Sequence, residues 1–280
     1  MLKVAVKDHS GETTVPGMHL ACRAMTRATV AALFILLALP LTARAGTLAC
    51  DMPLDLIRLA NPLPHMAKKL ASGKPIVVIA IGSSSTAGTG ASSPAATYPS
   101  RLAVELKQHF PGHAITVINR GVGGEEVDDM LRRFDDVLAI KPDLVLWQLG
   151  TNSVIRDHPL ADHGAAIHVG LNKIRAIGAD AVLIDPQYAP KVISKDGAQT
   201  MVELLSKAAK QEHVDLFRRF VVMQHWYKDD HMDFKAFVSP DGLHMNDWSY
   251  ACMAKGLGTA IAEAAERPVL SAAVMSSFVP

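Results

Sequence analysis

The feature that most constrains this chain is Ile76-Val77-Val78-Ile79-Ala80-Ile81, an unbroken apolar run rich in β-branched residues and bounded by Lys74-Pro75 and Gly82. A strand with one wet face alternates in polarity, whereas an uninterrupted run needs both faces covered, as in a parallel sheet clad by helices. Polarity then changes abruptly into Gly82-Ser83-Ser84-Ser85-Thr86, a loop at the carboxyl end of the strand. In open α/β sheets ligands bind in the crevice outside such strand ends. The loop is not a P-loop, because no lysine follows Gly88 or Gly90, and the chain has no Gly-x-Gly-x-x-Gly. It is not a Gly-x-Ser-x-Gly elbow either, since Thr86 stands at the second glycine. Taken alone it is a hydroxyl-rich turn.

Beyond the first strand, apolar runs and helical patterns alternate. Tyr98–Phe110 has helical spacing and stops at Pro111-Gly112, Ile115–Ile118 is a second strand, and Val127–Ile140 is a helix ended by Pro142. Leu144–Leu149 is a third, buried strand, Ala165–Ile177 a helix closed by Gly178, and Ala181–Ile184 a fourth strand. Met201–Gln211 is a helix, a short strand lies near Val214–Phe217, and Trp248–Ala265 is the last helix. The alternation predicts an α/β fold, a three-layer α/β/α sandwich around a mainly parallel sheet. Residues 218–240, an aromatic and charged mix, are expected to form a helix and a loop beside the site.

Three later segments supply what a serine hydroxyl needs to become a nucleophile. Asn119-Arg120-Gly121-Val122-Gly123-Gly124 follows the second strand, Gly150-Thr151-Asn152 the third, and Asp241-Gly242-Leu243-His244 lies near the C-terminus. A serine requires a base within hydrogen-bond reach. His244 can take its proton, and Asp241, three residues earlier, can hold the other ring nitrogen. With these blocks, in this order, residues 75–260 resemble the SGNH hydrolases, the GDSL esterase/lipase superfamily, whose blocks carry Ser, Gly, Asn and His.

The resemblance implies specific roles. Matching Gly82 and Thr86 to the family's Gly-Asp-Ser-x-Thr puts Ser84 at the nucleophile and Ser83 where aspartate is usual. The oxyanion donors are then the Ser84 N–H, the Gly124 N–H and the Asn152 side-chain amide; the bland alternatives are a turn at Gly123-Gly124 and a helix cap at Asn152. Ser153 also stands where the family often has aspartate. No metal or cofactor is implied. Gln148, Gln187 and Tyr188 flank strand ends and are candidates to line the substrate pocket, though Gln187-Tyr188 between prolines also suits a rigid loop. His225, Asp229, Asp230, His231 and Asp233 have metal-like composition but no recognisable ligand spacing, and read as a solvated loop. Trp226, Tyr227, Phe234 and Trp248 offer ring faces for a sugar, or packing for a core or lid.

The N-terminus bears on location. Arg23 and Arg27 precede the apolar run Ala28–Leu41, too short to span a bilayer comfortably, and Ala43-Arg44-Ala45 gives a small-x-small cleavage pattern. Residues 1–45 therefore read as a signal peptide, 46–74 as an irregular leader, 75–268 as the hydrolase domain and 269–280 as a tail. The expectation is a periplasmic or secreted protein with no stable membrane insertion after cleavage. Thr47-Leu48-Ala49 before Cys50 fits a lipobox poorly. Export would leave Cys50 and Cys252, which an oxidising compartment can join as a disulfide, the alternative being that Cys252 is a small buried apolar residue. Lys and Arg number 28 against 27 Asp and Glu, with no basic block, so nucleic acid is not an expected partner. The expected activity is hydrolysis of acyl esters, acetyl or similar, on a small molecule or a carbohydrate, through an acyl-serine. The alternatives are an O-acyltransferase using the same triad on an envelope glycan and, more distantly, a non-catalytic glycan-binding protein.

Overall fold

Five strands form one all-parallel sheet in the order β2-β1-β3-β4-β5: β1 Ile76–Gly82, β2 Ile115–Gly121, β3 Leu144–Gln148, β4 Asp180–Ile184 and β5 Asp215–Phe217. The computed structural model describes Cys50 and residues 52–268; the expected signal peptide and tail lie outside the described residues. β1 runs between β2 and β3, with Val78 beside Val117 and Leu144, and Ile81 beside Arg120 and Trp147. Its apolar run is thereby enclosed, and every residue of β3 is buried. β2 is an edge strand and half exposed, which accounts for its polar Thr116, Asn119 and Arg120.

Chain connection reverses direction between β1 and β3. The crossover from β1 to β2 passes through the helix Tyr98–His109, while those onward to β3, β4 and β5 pass through Val127–Leu138, His163–Ala176 and Gly197–Glu212. Right-handed crossovers running in opposite directions place helices on both faces, giving the three-layer sandwich expected from the sequence. The C-terminal helix Asp247–Glu266 packs along Tyr98–His109. The reversal point between β1 and β3 is where such sheets open a crevice, and both the Ser84 loop and the Asn152 loop leave from it.

Several elements differ from expectation. The helix over 127–140 is two, Val127–Arg132 and Phe134–Leu138, because Arg133 leaves the helical conformation while its guanidinium holds both Glu125 carboxylate oxygens. β2 continues to Gly121, so Asn119-Arg120-Gly121 is strand. The leader is partly helical, with Leu54–Ile57 and Pro64–Ala71. Three aspartates at the amino ends of strands tie it down. Asp180 accepts from the backbone N–H groups of His65 (3.3 Å) and Met66 (2.9 Å), Asp215 from Asn61 N–H (2.9 Å), and Asp143 from Val77 N–H (2.8 Å). Asp143 also meets His65 Nε2 at 2.8 Å and Lys69 Nζ at 3.0 Å. The free N–H groups of the Pro64 helix are thus capped by a strand far along the chain.

Cys50 and Cys252 are joined, with Cα atoms 5.4 Å apart and a sequence separation of 202. The bridge pins the start of the described chain to the buried face of the last helix. Replacing both cysteines by alanine is expected to cost about 2–5 kcal/mol in chemical denaturation, since so long a loop restricts the unfolded chain strongly. A double variant as stable as the parent would show that the clamp of aspartates suffices by itself.

Gly121 sets how closely β2 approaches the serine loop. A Cβ there would sit 2.2 Å from Ala87 N and 2.6 Å from Thr86 C, both backbone atoms that cannot swing away. Gly121→Ala is expected to displace the Ser84–Ala87 turn. It should lower both the melting temperature and the rate at which a serine-directed organophosphorus probe reacts; unchanged probe kinetics would contradict this.

Candidate active site

Ser84 opens the helical turn Ser84–Ala87 directly after β1. The loop is fixed from beneath by Gln148, the last residue of β3. Its Oε1 accepts from Ser83 N–H (2.9 Å), Ser83 Oγ (3.1 Å) and Thr86 Oγ1 (3.3 Å). Asn119 at the end of β2 donates from Nδ2 to Thr86 O at 2.7 Å. These contacts sort the serines. Ser83 and Ser85 are buried, whereas Ser84 keeps partial exposure and its Oγ lies 2.8 Å from His244 Nε2.

His244 sits on a tight turn after Pro240. Asp241 Oδ1 accepts from the N–H groups of Leu243 (2.9 Å) and His244 (3.0 Å), and Asp241 Oδ2 lies 2.5 Å from His244 Nδ1. A carboxylate only accepts, so Nδ1 carries the proton and Nε2 is left to accept from Ser84 Oγ. Partial burial pushes the Asp241 carboxyl up, but the His244 ring and the two N–H groups outweigh it and hold the carboxyl below its ordinary range. The turn can close on Ser84 because Gly90 has φ +91° and no side chain. A Cβ there would lie 2.3 Å from Met245 O and 3.1 Å from His244 Cβ.

The residues expected as oxyanion donors lie on three segments. Ser84 N–H is the first in its helical turn and has no intrahelical acceptor. The 121–124 loop passes beside it, and Gly124 has φ +82°, a conformation suited to glycine. Asn152 lies on the helix Thr151–Ile155 and spends one Nδ2 hydrogen on Glu125 O at 2.7 Å, which holds the loop against the helix. The carboxylate expected at position 153 is supplied by Glu126, whose Oε2 accepts from Ser153 Oγ at 2.8 Å while Oε1 pairs with Arg156 at 2.6 Å. Burial raises the Glu126 carboxyl, yet the donors Arg156, Ser153 and His158 together keep it below its ordinary range. Ser84, Gly124, Asn152, Asp241 and His244 are therefore gathered in one place.

The three candidate pocket residues are buried beneath or beside these loops, not open to solvent. Gln148 and Gln187 are both 0% exposed and act within the protein. Gln187 Oε1 accepts from Thr151 Oγ1 (2.9 Å) and Arg219 Nη2 (3.0 Å), and its Nε2 donates to Leu243 O (3.1 Å). Tyr188 is buried against Phe220, Tyr227 and Phe234. Trp226 is core, packed on Phe237 and Trp248, whereas Tyr227 is 40% exposed and stacks on Phe234 with ring centroids 4.3 Å apart. A cleft of about 520 Å³ lined by Pro190, Phe234, Pro240 and Gly242 adjoins the Asp241 turn. His225 pairs with Asp229 and Asp230, and among the described residues no group of three or more His, Cys, Asp or Glu is placed to hold a metal.

Sequence reasoning passed over Arg219, which is 1% exposed, donates from Nε to Asp185 O at 2.9 Å and reaches Gln187. Burial pushes the neighbouring Asp185 carboxyl up to about 7, against the Phe220 N–H and the Arg219 charge. An arginine pair, Arg218-Arg219, directly before the apolar run Phe220-Val221-Val222-Met223 was the available signal.

The sequence profile of the non-GDSL lipase-like family matches residues 49–267. An arylesterase of Vibrio mimicus is 27% identical over 149 residues, covering 51% of this chain and 73% of that protein. A two-domain esterase active on acetylated mannans superposes with TM-score 0.66 at 18% identity, over 79% of this chain and 59% of that one. This chain thus spans about three fifths of the two-domain protein. An acetylxylan esterase from Geobacillus stearothermophilus superposes with TM-score 0.57 at 19% identity, over 66% of this chain and 94% of that one. These likenesses share the fold, and with the profile spanning most of its length the chain belongs to the non-GDSL lipase-like family, among the SGNH hydrolases whose four blocks it carries.

Proposed function

We propose that the protein is an exported serine esterase that removes acetyl or similarly small acyl groups from carbohydrate or small-molecule esters. The observation that carries this reading is the continuous chain from Asp241 through His244 to Ser84 Oγ, with the Ser84 N–H, Gly124 and Asn152 beside it. As Ser84 Oγ attacks the ester carbonyl, its proton passes to His244 Nε2 and the carbonyl oxygen gains negative charge. The Ser84 and Gly124 N–H groups and the second Asn152 amide hydrogen are the donors available to that oxygen, and such donors are worth about 3–4 kcal/mol each in other hydrolases. Collapse breaks the C–O bond of the ester, and His244 gives its proton to the departing alcohol oxygen. Water then repeats the cycle on the acyl-serine, with His244 again the base. The acetyl preference is supported by the similar esterases, which act on acetylated mannans and acetylxylan. Export is supported by the signal-like residues 1–45, and among the described residues no helix is long and apolar enough to cross a membrane.

Incubation of the protein with acetylated manno- or xylo-oligosaccharides and with phenyl acetate is expected to release acetate. Mass analysis with a free sugar acceptor present separates hydrolysis from transfer, and acetylated acceptor as the main product would overturn the esterase reading. Ser84→Ala is expected to abolish both turnover and labelling by an organophosphorus probe. Ser83→Ala and Ser85→Ala should keep a labelled Ser84, and an adduct on Ser83 would move the nucleophile by one residue.

The division of labour between Asp241 and His244 is legible in pH dependence. Because the Asp241 carboxyl is held below its ordinary range, it stays ionised while His244 takes up a proton, so the acidic limb of kcat/KM should report a single group. Asp241→Asn should remove the carboxylate that accepts from His244 Nδ1–H. It should also lower the rate throughout, because the amide can favour the wrong ring tautomer. His244→Ala should be inactive at every pH where the fold survives. If Asp241→Asn leaves the rate unchanged, Asp241 is not the triad acid.

A further inference from the structure

We infer that Gln187, itself oriented by the buried Arg219, is a positioning residue that fixes the His244 turn relative to the Asn152 helix; this rests on the reading of Ser84, His244 and Asp241 as a triad. The orientation of the Gln187 amide is determined by its partners. Arg219 has only donors to offer and the Leu243 carbonyl only accepts, so Oε1 must face Arg219 and Thr151 while Nε2 faces Leu243. No other arrangement satisfies all three in a place shut off from solvent.

The consequence for His244 lies in a single peptide plane. The Leu243 carbonyl and the His244 N–H belong to the same peptide group. Gln187 holds its oxygen at 3.1 Å and Asp241 Oδ1 holds its nitrogen at 3.0 Å. The plane that carries the His244 Cα is therefore pinned on both edges. At its other end Gln187 takes the hydroxyl of Thr151, the residue before Asn152. One amide thus spans the base and the oxyanion side of the site without reaching substrate. Arg219 is anchored in turn by Asp185 O, which leaves little freedom in the strand end that carries Gln187. A buried guanidinium is costly to keep unless it is hydrogen-bonded; here Nε and Nη2 are used, while Nη1 has no partner among the described residues.

The test is Gln187→Glu, of the same size, which can still accept from Thr151 and Arg219 but has no N–H for Leu243. With rates divided by the number of sites titrated by an organophosphorus probe, kcat is expected to fall roughly 10- to 100-fold, the scale set by small misplacements in other enzymes. KM for phenyl acetate should stay within about threefold, because ground-state binding is not what is lost. Gln187→Met tests the same bond without an added charge should Gln187→Glu not fold. Arg219→Met alone should also lower kcat, but should add little in the Gln187→Met background, since it acts through the same amide. Fully additive losses would overturn the Arg219 link, and wild-type kcat per titrated site in both Gln187 variants would overturn the inference as a whole. Turnover by Ser84→Ala would instead overturn the triad reading beneath it.

Discussion

A single 2.8 Å contact between Ser84 Oγ and His244 Nε2 joins residues 160 positions apart, and much of the structure serves to keep it at that length. Ser84 is placed by where β1 stops, and β1 stops where its enclosed apolar run gives way to Gly82 and the serines. His244 is placed by a turn that could drift, since it follows an irregular stretch and precedes the last helix. Asp241 on one side and Gln187 on the other keep it from drifting, and the cap of the C-terminal helix, Asn246, follows two residues later. Asn246 accepts from Ser249 N–H and Ser249 Oγ reaches back to Phe237 O, so the helix start is locked as well.

The site is built on polar groups buried beneath it. Gln148 under the Ser84 turn and Gln187 under the His244 turn are both shielded from solvent, and each accepts or donates to loops that have no regular structure of their own. Buried polar side chains are expensive unless hydrogen-bonded, so each in effect dictates the geometry of the loop above it. The two glutamines end consecutive strands or the turns after them, and the crevice at the sheet's reversal point is thereby floored with directional contacts. Tyr98 adds to the same layer: its hydroxyl lies 3.3 Å from Thr86 Oγ1, and burial pushes its pKa up to about 12, so it remains a neutral partner.

Two departures from the family pattern find different answers. Ser83 occupies the position usually held by aspartate, and its N–H and hydroxyl turn inward to Gln148. The loop is thus held through a neutral amide. Ser153 stands at the other customary aspartate, and there the negative charge returns from Glu126, two residues after Gly124. The loop that carries Gly124 and the Asn152 helix are consequently cross-linked by Glu126 with Ser153 and Arg156, and by Asn152 with Glu125 O. A charge moved between segments preserves the link as long as the segments meet, and the parallel order of β2, β1 and β3 brings them together.

The parallel sheet, the ends of β1 and β3 and the Asp241–His244 turn were legible in the sequence because each rests on a local signal, whereas Ser84, Gly124 and Asn152 were expected from the family resemblance. The unbroken apolar run at 76–81 permits only an enclosed strand, and polarity changes mark where β1 and β3 end. Asp241 and His244 lie on one turn, so their contact is local too. What the sequence could not disclose depends on distant partners. The Pro64–Ala71 helix reads as irregular leader because its cap is Asp180, 115 residues away from His65. The helix over 127–138 breaks at a periodic position because Arg133 is drawn to Glu125. Gln148, Gln187 and Arg219 have the composition of pocket or surface residues, and only the packed core decides that they face inward. Their roles follow from burial, and burial exists only once the sheet and helices have closed around them.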